Sequence, residues 1–230
     1  MLTLFHHPLS MPSRLVRLVF GEYGEEISLV EEKPWARRKE FIAVNPANIL
    51  PLLLAEGDNA VTGAGVILEY LDETRAPLSR SAPLFPGGPL QRAETRRVTA
   101  WYLDKTNAEV VNPLVRERVF KLQMTSEEGG GSPDTKAMRT ARANLVQHMR
   151  YTNWLVGSRN WIAGDERSYG DLAAAAAVSV LDYLGEINWA EYPAAKDWYA
   201  RMKSRPSFRT ILADRVRSLA PAPHYTDLDF

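Results

Sequence analysis

Apolar positions change their period near residue 76, from short alternating runs to long stretches with helical spacing. Residues 2–5 are an apolar run halted by His6, His7 and Pro8, the pattern of a buried strand that ends in a loop. Val16, Val19 and Phe20 then share one helical face, with Ser13 as the expected N-cap and Gly24 as the expected stop. Residues 27–30 predict a second strand. Pro34 opens a short helical segment within EEKPWARRKEF, and Asn45-Pro46 punctuates a loop ahead of the apolar residues 50–54. Gly57-Asp58, set between residues 52–54 and 59–61, predicts an antiparallel hairpin, and a helix is expected over 67–72. The order β-α-β-α-β-β-α is that of a compact mixed-sheet unit.

Pro77, Pro83, Pro86, Gly87, Gly88 and Pro89 crowd the next stretch, which reads as an interdomain linker. Beyond it the pattern is helical. Val98, Trp101, Lys105, Ala108, Val111 and Val115 recur three or four apart, with one long lysine among them, and Pro113 predicts a kink or restart. TSEEGGGSPD, from Thr125, is a polar loop. Met138, Ala141, Leu145, Met149, Thr152 and Val156 mark a second amphipathic helix. GDLAAAAAVSVLDYL is apolar on all sides and predicts a helix at the centre of a bundle, with Ser168 and Asp171 spaced as a capping box. Pro193 and Pro206 each open a further helix. SLAPAPHYTDLDF breaks the helical period and reads as a tail that the bundle does not need. The expected organisation is residues 1–78, a linker over 79–90, a helical domain over 91–217, and a tail over 218–230.

Composition narrows the chemistry. Among 230 residues there is no cysteine, which removes disulfides, thiolate-ligated metals and thiol nucleophiles. Lys+Arg and Asp+Glu number 28 each, and with pI near 6.9 the chain has no basic field for nucleic acid or an anionic membrane. The balance is uneven: residues 1–80 hold 8 basic against 11 acidic side chains, and residues 81–230 hold 20 against 17. The longest apolar run, residues 172–181, is too short to span a bilayer, and the first residues carry no secretory pattern, so the cytoplasm is expected.

Three motifs together resemble the glutathione-transferase superfamily over residues 2–216. HPLSMPSRLVRL resembles the strand-to-helix turn where that family places its catalytic Ser, Tyr or Cys. NPANILPLLL resembles the segment ending in the family's cis-proline, here Pro51, and WIAGDERSYGDL its capping box before the buried helix. The resemblance implies an α/β plus all-α chain: a thioredoxin-like N-terminal domain, then an all-helical domain, usually assembled as a homodimer. In that family, backbone groups beside the cis-proline hold the cysteinyl part of glutathione, and an acidic residue followed by Ser holds the γ-glutamyl end. Aligned on Ile67, Tyr70 and Leu71, that pair is Gly63 and Ala64 here. Losing a charge-assisted hydrogen bond forfeits about 1.5–3 kcal/mol, so two losses predict a vestigial glutathione site, no cofactor and no catalytic residue. Ser10 and Ser13 keep an alternative open, a glutathione-dependent transferase in which Ser10 stabilises the thiolate; their other reading is helix capping. His6 and His7, adjacent on an extended segment, point to opposite sides, so no shared metal is expected.

A narrower resemblance rests on EEKPWARRKEF, on VRERVF in the first long helix and on the ending HYTDLDF. It is to members of the superfamily that act in bacterial cell division by binding FtsZ, the tubulin-like GTPase. It implies a non-enzymatic cytoplasmic factor that binds FtsZ filaments, bundles or curves them and promotes constriction at the division site, with other division proteins as further partners. Trp35, Glu117 and Asp227 carry over as partner-binding residues. On the residues alone, Trp35 is an interface anchor or a domain-interface tryptophan, and Glu117, between Arg116 and Arg118, is a solvated helix charge. Asp227 belongs to a tail that frays, docks through Tyr225, Leu228 and Phe230, or presents a short motif.

Overall fold

The computed structural model describes residues 2–79, 82–217 and 219–228. Its first unit is a four-stranded sheet in the order β2-β1-β3-β4, made of β1 (Thr3–His6), β2 (Ser28–Glu31), β3 (Leu52–Leu54) and β4 (Ala60–Thr62). β1 and β2 run parallel, with Leu4 opposite Leu29, while Leu53 pairs antiparallel with both Leu4 and Val61. The β3–β4 turn places Gly57 and Asp58 at positive φ, which a glycine meets without steric cost. Leu4 and Leu53, paired across the sheet, are fully buried in one core with the helices α1 (Met11–Tyr23) and α3 (Ala64–Thr74), while Leu52, beside Phe5, is buried on the opposite face. α2 (Lys39–Val44) and a 3-10 turn at Pro34–Ala36 complete the thioredoxin-like domain.

Ser10, not Ser13, caps α1: its Oγ accepts the Ser13 N–H at 3.4 Å, and Ser13 is buried in the first turn. The helix starts one turn ahead of its apolar stripe because Pro12 needs no N–H partner there. Gly24, at φ 71°, ends it as expected.

The second unit is all-helical. Its first long helix runs through α4 (Pro89–Ala100), a stretch of wide π-type turns (Trp101–Val111), α5 (Asn112–Val115) and further wide turns (Arg116–Phe120). Pro113 does not break it. The Asn112 N–H reaches back five residues to Asn107 O, and the backbone stays right-handed helical across both junctions. Asp134 caps α6 (Thr135–Ser158), its Oδ1 accepting from the Lys136 and Ala137 N–H groups. Every residue of α7 (Tyr169–Tyr183) is buried, and the Ser168–Asp171 capping box forms as the spacing predicts. α8 (Pro193–Lys203) begins at its proline, whereas Pro206 opens a 3-10 turn that leads into α9 (Arg209–Leu212).

Buried charges join the two units. Arg14, fully buried, donates through Nε to Pro8 O at 2.7 Å and through Nη1 to Ser179 Oγ at 2.9 Å. Arg17 grips Asp214 with two bonds of 2.8 and 3.0 Å, and Glu22 is held by Arg205, Arg167 and Ser207. The geometry is bidentate, the arrangement in which a buried pair best recovers its desolvation cost. Glu22 keeps its carboxyl below the ordinary range: burial opposes this, and the bonds from Arg205 and Ser207 outweigh it.

The tail differs from its expected independence. Tyr225 is fully buried, edge-on to Tyr183 with ring centroids 5.1 Å apart, and its hydroxyl donates to Ile211 O at 3.1 Å. Ala222 N–H donates to Tyr183 O, and His224 and Lys203 meet on the fully buried Asp182. The bundle is therefore closed by this segment. Leu228 stays 41% exposed, and Asp229 and Phe230 lie outside the described residues.

Candidate functional site

Between the two domains lies a cleft of about 510 Å³. The loop after β1 supplies His7 and Ser10, the 3-10 turn supplies Trp35, and the loop before β3 supplies Asn48, Ile49 and Leu50; the long helix faces them with Asn107, Arg116 and Phe120. Three rings close one end. Phe120 sits 4.7 Å from Trp35 and 4.7 Å, edge-on, from His7, while His7 and Trp35 are 5.8 Å apart. Such aromatic contacts stabilise beyond area burial, and here they join Phe120 of the long helix to His7 and Trp35 of the first domain.

His7 is neutral. Its Nδ1 accepts the Leu9 N–H at 3.1 Å, which leaves the ring proton on Nε2. Burial first, then His6, Arg14 and Lys33, push its pKa down to about 3. His6, buried near Arg17 and Arg14, is pushed down to about 4. Ser10 lines the cleft, its Oγ accepting the Ser13 N–H, and the Nδ1 lone pair of His7, on the same wall, is spent on the Leu9 N–H. Among the described residues no group of three or more His, Asp or Glu side chains is placed to hold a metal ion.

The Leu50–Pro51 bond is cis, as the resemblance implied, and Pro51 O accepts the Gly63 N–H at 3.1 Å. Gly63 and Ala64 begin α3 but line a second hollow, which meets the cleft at Pro12, Ile49 and Leu50. Gly63 sits at φ 89°, so a side chain there would be strained whatever its chemistry. The structure thus brings Ser10 and Trp35 to one cavity and Gly63 and Ala64 to its neighbour.

Glu117 is not a solvated helix charge. It is 5% exposed, accepts the Asp134 N–H at 2.7 Å and binds Lys121 Nζ at 2.6 Å, which ties the loop over 121–134 to the long helix. Trp35 is half-buried, a wall of the cleft more than a free anchor. Asp227 is exposed, on a tail held in place by Tyr225 and His224. Sequence reasoning missed Asn48 and the pairing of His7 with Phe120. Phe120 continues the apolar series of Val111 and Val115, which was the available signal.

The N-terminal domain model of glutathione S-transferases matches residues 4–79, and the C-terminal domain model matches residues 115–206. FtsZ-localized protein A of Caulobacter vibrioides is 39% identical over 99% of this chain and 98% of its own. A crystal structure described as a glutathione S-transferase from Sinorhizobium meliloti is 57% identical, covers both chains completely and superimposes with a TM-score of 0.97. The structure of FzlA from C. crescentus, 39% identical, covers 100% of this chain and 99% of its own with a TM-score of 0.91. Matched in both domains and along its length, with a thioredoxin-like sheet, a cis-proline and a capped buried helix in their places, the chain belongs to the glutathione S-transferase family.

Proposed function

We propose that this protein is a non-enzymatic cell-division factor that binds FtsZ filaments in the cytoplasm at the division site, bundles or curves them and promotes constriction. The observation that carries this reading is the 39% identity, over nearly the whole of both chains, with FtsZ-localized protein A. The site chemistry agrees with it. Gly63 and Ala64 offer no polar side chain to the γ-glutamyl end of glutathione, and the His7 Nδ1 lone pair in the cleft is spent on the Leu9 N–H. A homodimer would present two identical surfaces and bridge filaments by multivalency. No cofactor and no nucleic acid enters, and no described helix is long and apolar enough to cross a membrane. Trp35 and Asp227 are the contact residues of this reading, and Glu117 acts from behind, by holding the loop over 121–134. Other division proteins would share the same surface.

Negative-stain microscopy of GTP-polymerised FtsZ tests the filament effect. Curved or bundled filaments on adding the protein are expected, and unchanged single filaments would contradict it. The second reading, a transferase using Ser10, is favoured by the place of that hydroxyl on the cleft wall, whose Leu50 is joined to Pro51 by the cis bond. Retention on immobilised glutathione, with conjugation lost in Ser10→Ala, would decide for it.

A further inference from the structure

β2 is an edge strand whose outer side is open. It pairs only with β1, and the Ser28 and Glu32 N–H groups donate inward, to Leu2 O and His6 O. In a parallel ladder the backbone groups of alternate residues face the same way, so those of Leu29 and Glu31 face outward, where no backbone partner occurs among the described residues. Leu29 and Val30 are 41% and 36% exposed, a row of unpaired amides and branched side chains that natural proteins seldom leave without a partner or a guard.

Beside this edge runs an open groove of about 1180 Å³. Its wall gathers three segments far apart in sequence: Lys33 and Ala36 around Trp35, Leu122 and Gln123 just past Lys121, and residues 215–217 just before the tail. These are the surroundings of Trp35, of the Glu117-anchored loop and of the segment leading to Asp227. The groove is basic in effect. Glu32 is buried and held by Arg38 at 2.7 Å and by the Lys33 backbone N–H, whereas the side-chain cations of Lys33, Arg215 and Arg217 form no ion pair with a carboxylate among the described residues, with Glu31 as the one opposing charge.

We propose that the β2 edge and this groove form a docking site for an extended acidic peptide of the filament partner, added as a fifth strand. Main-chain bonds to Leu29 and Glu31 supply the pairing, Val30 and Leu122 supply apolar contact, and Lys33, Arg215 and Arg217 select acidic side chains. The partner's identity rests on the FtsZ reading; the chemistry of the groove does not.

Two variants of the full-length protein test it. Leu29→Pro removes an outward N–H and leaves the inward ladder intact, and the double variant Arg215→Glu/Arg217→Glu inverts the charge without touching the strand. The fluorescein-labelled peptide DVDIEVD, titrated by anisotropy, should bind the wild type saturably and both variants at least tenfold more weakly, with a lysine-for-aspartate peptide failing to bind. Binding of purified FtsZ, by biolayer interferometry, should fall in parallel. Equal peptide affinity for all three proteins, or no saturable binding, overturns the site. FtsZ binding that persists in both variants overturns the groove as its contact while the FtsZ reading stands. If wild type itself ignores FtsZ, that reading fails and the peptide titration alone decides the groove. Loss of a dimer in Leu29→Pro overturns it in favour of pairing between copies.

Discussion

The carboxylate of Glu117 accepts the backbone N–H of Asp134 at 2.7 Å, and Asp134 in turn caps α6. One buried acid therefore fixes the end of the loop that contributes Met124 to the cleft and Leu122 to the groove. Glu117→Ala removes the charged acceptor of the Asp134 N–H and the close partner of Lys121, with an expected loss of about 1–3 kcal/mol. Urea denaturation gives the stability, and amide exchange over 121–134 should rise. Glu117→Lys, next to Lys121 and Arg116, should cost more. Wild-type exchange in that loop would refute the tie.

The tail separates stability from partner contact. Tyr225→Ala empties a fully buried aromatic site and should cost about 3–5 kcal/mol. Asp227→Lys, at an exposed position whose charge acts on Lys203, should cost far less than Tyr225→Ala and yet weaken FtsZ association. Denaturation curves and filament binding, measured on both variants, check the pair; an Asp227→Lys variant that binds normally removes that residue from the surface.

Stability should fall on mild acidification. His6 and His7 have pKa values of about 4 and about 3 in the fold against 6.5 in the unfolded chain, so between these limits the unfolded state holds more protons. Their contribution is complete above about pH 6.5 and is lost as pH falls toward 4 and 3, with a slope near 1.4 kcal/mol per pH unit for each fully displaced histidine. His7→Asn keeps an acceptor for the Leu9 N–H. Between pH 6.5 and 5 its stability should fall less steeply than that of wild type, and equal slopes would show that His7 charges freely in the fold.

Much of this could be read locally and some could not. The Ser168–Asp171 box, the Gly24 stop and the β3–β4 hairpin depend on residues within a few positions of one another, and they form as their spacing predicts. The Ser10 cap was displaced by a turn because the apolar stripe marks a buried face and not a helix start. Glu117 was misjudged for a different reason: Arg116 and Arg118 beside it imply solvent, whereas its burial depends on Asp134, seventeen residues on. Tyr225 likewise needs Tyr183 and Ile211 to make its site. The groove along β2 unites residues near 30, 122 and 216, a proximity no local pattern encodes.

Asp171, fully buried, serves four donors. Its Oδ1 accepts from Ile162 N–H and Trp198 Nε1, and its Oδ2 from the Ser168 N–H and hydroxyl, at 3.0 to 3.2 Å. Asp171→Ala orphans four donors and should cost more than about 3 kcal/mol. Asp171→Asn keeps one acceptor oxygen and should cost less. Circular dichroism in urea orders the three proteins, and an alanine variant as stable as the asparagine variant would contradict the network.

Co-sedimentation with purified FtsZ, polymerised with GTP, bears most directly on the proposed function. The protein is expected to pellet saturably with filaments, to remain soluble when GDP replaces GTP, and to pellet less as Asp227→Lys. A wild-type protein that stays in the supernatant at every filament concentration, while being retained on immobilised glutathione, would contradict the account.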